Sequence, residues 1–384
     1  MPFWSLAIIP VAIILLWLLF RAKQSHKHQQ STLSSEYFKG LNYLLNDEQG
    51  KALDIFVKLV ESNWETIDTH FTLGKIYRKN GEMDKAIKIH QGLIARPTLP
   101  ERYRSKILLE LGYDYLGAGW FDRAEGLFKE VLLQDEESKE ARHNLILIYQ
   151  QEKDWSKAID IAVDLYSEAP EDIGPMVAQY YCELAGISKT KGDVKQLEIY
   201  ADKALGYDSA CVRASILLAD QAMSAGQDKQ AIQLYEGIEK QDAESIILVM
   251  NSLIKCHEDL ATHDKLYDYL IGLQERHPQL FLQNYIATVL ERLQGKQAAV
   301  DYLSAKIKHQ PSLIGLQRLV AYKESDVNAD DVFSNLSSAM TLLQKDSLVY
   351  RCQKCGFSTN THYWLCPGCN HWGKVKPSVI ESEQ

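Results

Sequence analysis

The chain has 384 residues, of which 46% are hydrophobic and 24% charged, the proportions of an ordinary folded protein. Its 42 basic and 51 acidic residues leave a formal charge of −9, and no long Lys/Arg run appears outside the segment after Phe20. A general nucleic-acid binder is disfavoured, because phosphate affinity rests on clustered cations.

The first element is an uncharged run of eighteen residues from Phe3 to Phe20. As a helix it would reach about 27 Å, close to the hydrocarbon thickness of a bilayer. No basic residue precedes it, and Leu18, Leu19 and Phe20 close it where a cleaved signal would carry small residues, so it reads as a retained anchor. Arg21, Lys23 and Lys27 follow, with His26 and His28, and the positive-inside bias places everything after them in the cytoplasm. The His-Lys-His stretch belongs to that polar flank. The expected boundaries are 1–20 for the anchor and 21–34 for a basic juxtamembrane linker.

From residue 35 to 345 helical periodicity dominates and a repeat emerges. TLGKIYRKNGEMDKAIKIH places Leu73, Gly74, Tyr77, Gly81, Ala86 and His90 at the same spacings as Leu111, Gly112, Tyr115, Gly119, Ala124 and Phe128. Small or apolar residues five places after each turn form the series Ala52, Ala86, Ala124, Ala158, Leu197, Ala231, Leu266, Ala299, stepping by 34, 38, 34, 39, 34, 35 and 33. That is the period of a tetratricopeptide repeat. About eight units are countable, nine if LIGLQRLVAYKESDVNADDVFSNLSSAM is another. The longer steps coincide with Ala95 to Pro100 and Glu168 to Pro175, expected as extended loops. Such arrays bind protein segments on the face formed by their first helices. If Leu73, Leu111 and Leu145 point inward, then Phe71, Lys75, Arg78, Tyr113 and His143 turn toward that face. Cys182, Cys211 and Cys256, scattered singly in apolar helices, read as small core residues, and His90 sits at a core position.

The last element is YRCQKCGFSTNTHYWLCPGCNHW, in which Cys352, Cys355, Cys366 and Cys369 form two C-x2-C knuckles ten residues apart. Two short turns of this kind can aim four thiolates at one ion, and a cytoplasmic setting disfavours disulfides. Sulfur-only tetrahedral coordination suits either Zn or a single Fe. His362 and His371 read as structural or surface groups, since four sulfurs complete a tetrahedron. So small a module cannot build its own apolar core, so a metal-stapled docking role is favoured over electron transfer or nucleic-acid contact. The module is rich in rings, Tyr350, Phe357, Tyr363, Trp364 and Trp372, and some of them are expected to pack on the last repeats. No phosphate loop, nucleophile elbow or zinc-protease motif appears, so a non-enzymatic binding role is expected.

Together, the anchor, the array and the knuckles resemble the lipopolysaccharide assembly protein B family. The resemblance is carried by GEMDKAIKIHQ from Gly81, WFDRAEGLF from Trp120, YYCELAG from Tyr180 and RCQKCGF from Arg351. It implies an all-α tetratricopeptide solenoid with an N-terminal transmembrane helix and a small rubredoxin-like domain of four-cysteine knuckles at 349–377, held against the repeats and needed for activity. It implies an inner-membrane, single-pass adaptor with its N-terminus in the periplasm. Its implied partners are the lipid A pathway deacetylase, the membrane-anchored ATP-dependent protease that degrades it, and a restraining inner-membrane regulatory protein. A scaffold gathering lipopolysaccharide assembly proteins without directing proteolysis is the alternative, and a membrane-bound redox carrier a third.

Overall fold

The structure, a computed structural model, describes residues 36–46, 48–62, 67–97, 99–166, 169–309, 313–324 and 350–377. The expected anchor, the linker and the stretch leading into the knuckles lie outside them. Among the described residues no helix is long and apolar enough to cross a membrane.

Two compact units divide the chain, Met1–Asp154 and Trp155–Gln384. The first holds α1 (residues 36–45), α2 (Gln49–Ser62), α3 (Ile67–Lys79), α4 (Met83–Ile94), α5 (Glu101–Gly117), α6 (Phe121–Gln134) and α7 (Lys139–Glu152). The second holds α8 (Trp155–Tyr166), α9 (Pro170–Lys191), α10 (Val194–Tyr207), α11 (Val212–Ser224), α12 (Asp228–Gln241) and a 3-10 helix (Ala243–Val249). It continues with α13 (Met250–Asp259), α14 (His263–Arg276), α15 (Gln283–Gln294), α16 (Lys296–His309) and α17 (Leu313–Glu324). Three short strands, β1 (Tyr350–Cys352), β2 (Ser358–Thr359) and β3 (Val375–Pro377), follow in the antiparallel order β2-β1-β3.

The turns between paired helices enter the left-handed region, which glycine reaches without the penalty of a Cβ. Gly81 and Gly119 take φ of 81° and 76°, and in two repeats that lack a glycine Lys153 and Ala261 stand at the same register with φ of 59° and 53°. Five residues beyond these turns the second helices place their small or apolar residue. Ala52, Ala86, Ala124, Ala158, Leu197, Ala231, Leu266 and Ala299 are all 0% exposed, as the periodicity requires.

One substitution of space for bulk explains how the paired helices meet. A Cβ built on Gly74 of α3 would lie 2.5 Å from the His90 ring of α4, and one on Gly112 of α5 would lie 2.6 Å from the Phe128 ring of α6. The large ring of the second helix therefore occupies the volume that a side chain on the first would need. In unit 2, α9 corrects an expectation. Pro170 opens this 22-residue helix at its first positions, where a missing N–H costs nothing, and Pro175 lies inside it. The segment expected as an extended loop is thus helical from Pro170 onward, and the long step lengthens a first helix.

The packing predicts opposite signs for two helical glycines of unit 1. Gly112→Ala gains about 1 kcal/mol of helix propensity but forces a methyl into Phe128, and overpacking costs about 1–3 kcal/mol. Nothing lies within 4 Å of a Cβ on Gly126, so Gly126→Ala stabilises by about 0.5–1 kcal/mol. Chemical denaturation of the two variants checks the order; equal effects would remove the steric account.

Candidate metal centre

The two knuckles are built alike, from the backbone outward. Gly356 and Asn370 follow the second cysteine of each knuckle with φ of 76° and 53°, conformations open to glycine and tolerated by asparagine. Each donates its N–H to the carbonyl of the first cysteine, Gly356 to Cys352 at 2.9 Å and Asn370 to Cys366 at 2.8 Å. The first cysteines then donate their own N–H five residues on, Cys352 to Phe357 O at 2.8 Å and Cys366 to His371 O at 3.0 Å. These bonds curl both loops around their sulfurs.

The four Sγ atoms all lie within 4.8 Å of one another. Across the knuckles, Cys352 and Cys369 are 3.7 Å apart, as are Cys355 and Cys366. Four sulfurs about 2.3 Å from one ion in a regular tetrahedron stand about 3.8 Å apart, so this cage could hold a single ion and fits zinc or iron equally. Burial opposes ionisation of Cys352, yet the N–H groups of Cys355 and Lys354 outweigh it and bring that thiol down to about 6. Burial and the neighbouring Cys355 sulfur push Cys369 up to about 12. The Cys369 thiolate at neutral pH therefore needs a cation among the sulfurs.

The nearby histidines serve other ends. The His362 ring donates from Nε2 to the Val375 carbonyl at 3.2 Å and stands edge-on to Trp364, with ring centres 4.5 Å apart. His371 donates from Nδ1 to the Cys369 carbonyl at 2.6 Å, on the surface.

The module is seated on α8, α9, α11 and the 3-10 helix of unit 2. Trp372 meets the rings of Trp155 and Tyr180 edge-on at 6.1 and 6.0 Å. Arg213, in the first turn of α11, lies 5.8 Å from the Trp364 ring and 6.0 Å from that of Trp372, and donates to Glu183 Oε1 of α9 at 2.8 Å. Lys376 of β3 donates to Asp242, the N-cap of the 3-10 helix, and to Ser245 Oγ at 3.1 Å, while Gln353 donates to Glu244 at 3.2 Å. Trp364 also packs against the apolar cluster of α11 to α17. The seat therefore begins earlier than the last repeats, at α8 and α9, because Trp155 and Tyr180 supply the aromatic floor that Trp372 needs. Tyr363 instead stays 40% exposed.

Of the five residues expected to face a binding surface, four come together in unit 1. Lys75 lies over the Phe71 ring at 4.5 Å and Arg78 over Tyr113 at 5.4 Å. Both cations are also paired: Lys75 with Glu110 at 2.7 Å, Arg78 with Glu110 at 2.5 Å and with Asp114 at 2.7 Å. The fully buried Asp114 receives His90 Nδ1 at 2.5 Å as well. Burial works against charge on Arg78, but the two carboxylates overcome it and hold the guanidinium charged. Sequence reasoning misses Glu110 and Asp114 as members of this group. Their signal is two carboxylates four apart on α5, matching two cations three apart on α3. His143 stands apart on α7, exposed, donating to its own Lys139 carbonyl at 2.7 Å.

Comparisons with known proteins agree with this architecture. Residues 350–377 match the family described as rubredoxin metal binding domain, and residues 69–102 and 109–173 match tetratricopeptide repeat families. Lipopolysaccharide assembly protein B of Haemophilus influenzae is 30% identical over 387 residues, covering 96% of each chain. The chain belongs to the lipopolysaccharide assembly protein B family. The family member from Escherichia coli K12 is 29% identical over 375 residues, again covering 96% of both chains. Among solved structures, a tetratricopeptide repeat protein from Parabacteroides merdae aligns at 17% identity and a TM-score of 0.33, over 58% of this chain and 83% of that one.

The seat predicts a change local to the knuckles. Burial pushes the Asp242 carboxyl up, but Lys376, Ser245 and the Glu244 N–H outweigh it and leave it below its ordinary 3.8. Its contribution is therefore present above 3.8 and is lost as pH falls through the lower value of the folded state. At neutral pH, Asp242→Asn removes this partly buried pair at a cost of about 1 kcal/mol. Hydrogen exchange over 350–377 should then rise roughly fivefold with metal content unchanged, since about 1.4 kcal/mol is a tenfold effect. Unchanged exchange would mean that the pair does not hold the module down.

Proposed function

We propose that this protein is a membrane-tethered, non-catalytic adaptor that limits lipopolysaccharide synthesis by presenting the lipid A pathway deacetylase to a membrane-anchored ATP-dependent protease. The observation that carries the reading is the knuckle module seated on α9, α11 and the 3-10 helix through Trp372, Arg213 and Lys376. Such an arrangement serves to fix a protein-binding array in one shape. Membership of the lipopolysaccharide assembly protein B family supplies the process.

In this reading residues 1–20 anchor the chain in the inner membrane with the N-terminus periplasmic, and 21–34 form the basic linker. Tetratricopeptide repeats fill 35–345 and the rubredoxin-like domain 349–377. The tether raises the effective concentration of the array near membrane-bound partners, an inner-membrane regulatory protein among them, without any added contact. Phe71, Lys75, Arg78 and Tyr113 present an aromatic surface whose cations are already neutralised by Glu110 and Asp114. A partner would be held there mainly by stacking and apolar contact, with His143 as a separate contact.

Cys352, Cys355, Cys366 and Cys369 would hold one Zn or Fe ion, which when bound neutralises their thiolates and ties the two knuckles together. The chain's own contribution is to aim the sulfurs, through the N–H bonds of Gly356 and Asn370, and to cover the module's aromatic side. Cys366→Ser is expected to lose the metal and to free residues 350–377 from unit 2, read as metal content and as exchange protection of that segment. Retained metal would refute the four-thiolate assignment.

The pathway reading is tested in cells. Depleting the protein should lengthen the half-life of the deacetylase several-fold and raise its level. An unchanged half-life, with transport proteins co-purifying through the repeats, would favour the scaffold reading instead.

A further inference from the structure

Outside the knuckles, two cysteines of unit 2 that are 29 residues apart in sequence meet sulfur to sulfur. Cys182 of α9 and Cys211, the N-cap of α11, lie 3.7 Å apart and are 0% and 2% exposed. Three alanines, Ala178, Ala204 and Ala214, share their small buried cluster. The Gln179 amide donates to Cys211 Sγ at 3.6 Å, while its own buried carbonyl oxygen has no partner. Both thiols are free, and neither belongs to the four-sulfur cage.

We propose that Cys182 and Cys211 are a site of reversible oxidative modification, forming a disulfide that loosens the seat of the knuckle module. In the forward chemistry Cys211 gives up its proton and its thiolate attacks one oxygen of hydrogen peroxide; the O–O bond breaks, the leaving hydroxide takes up that proton as water, and Cys211 becomes a sulfenic acid. The Cys182 thiol then attacks that sulfur, the S–O bond breaks, and a second water leaves. Two thiols and one peroxide thus give one disulfide and two waters, and a small-molecule dithiol reverses the change.

The division of roles follows from position. Cys211 receives the hydrogen bond of the Cys182 thiol and, despite burial, stands at a helix N-terminus with the Ala214 N–H nearby, which together lower its pKa. Cys182, donating to Cys211 and deeply buried, is raised well above its ordinary 9.0 and serves as the resolving thiol.

The consequence follows from the neighbours. Glu183 is next to Cys182 and Arg213 is two residues beyond Cys211, and these two form the ion pair that aims the guanidinium at Trp364 and Trp372. A disulfide brings its sulfurs to about 2.05 Å. Closing the gap from 3.7 Å draws the first turn of α11 toward α9, and with it the cation over the two indoles.

The test uses the full-length, metal-loaded protein, treated with hydrogen peroxide and mapped by peptide mass spectrometry. The expected product joins the Cys182 peptide to the Cys211 peptide with the loss of two hydrogens, and a dithiol undoes it. In Cys182→Ser, Cys211 should be trapped as a sulfenic acid by dimedone. Exchange protection of 350–377 should fall several-fold on oxidation of the natural chain and stay unchanged in Cys182→Ser. Overturning results are equal oxidation rates for Cys211 and Cys256, a link formed only in urea, or a link that leaves the exchange of 350–377 unaltered. If the serine variant does not fold, the linked peptide and its exchange profile in the natural chain still decide.

Discussion

Where α3 crosses α4 and α5 crosses α6, there is room for one side chain and not two. Gly74 yields to His90 and Gly112 to Phe128, so bulk on one helix is answered by absence on the other. Close approach of the backbones lets the next layer stack, and stacking is how a chain of separate helix pairs comes to share one continuous apolar interior. The cluster that runs from Val212 to Tyr322 in unit 2 is the outcome. The surface that receives the knuckles is carried on the stacked helices of that unit.

Much of this is legible in the sequence because helical register is a local property. The series from Ala52 to Ala299 identifies residues that are all buried, and the two C-x2-C pairs identify four sulfurs that converge. What escapes is set by distant partners. Pro170 and Pro175 suggest a loop, yet proline is admitted at a helix start, and α9 begins there. The charged group joining Lys75 and Arg78 to Glu110 and Asp114 depends on how adjacent first helices align, which a period can suggest and only packing can fix. The seat at Trp155 and Tyr180 has no local signal, since nothing near residue 372 indicates which of many aromatic residues it will meet.

The two cysteine groups show how surroundings decide the chemistry of one side chain. In the knuckles, left-handed turns at Gly356 and Asn370 expose N–H groups and crowd four sulfurs, an environment ready for a cation. Between α9 and α11, alanines surround two sulfurs that have each other and one glutamine amide, an environment suited to exchange of electrons between thiols. Only the first could be read from spacing.

The contact between Lys376 and Asp242 spans 134 positions in sequence. The segment that covers α9 and α11 is synthesised after both helices, more than 120 positions beyond the end of α11. Until then, Trp155, Tyr180 and Arg213 lack their cover, and a chain ended early by truncation leaves them so. Seating of the knuckles therefore separates chains made through residue 377 from shorter fragments by the burial of a few aromatic rings.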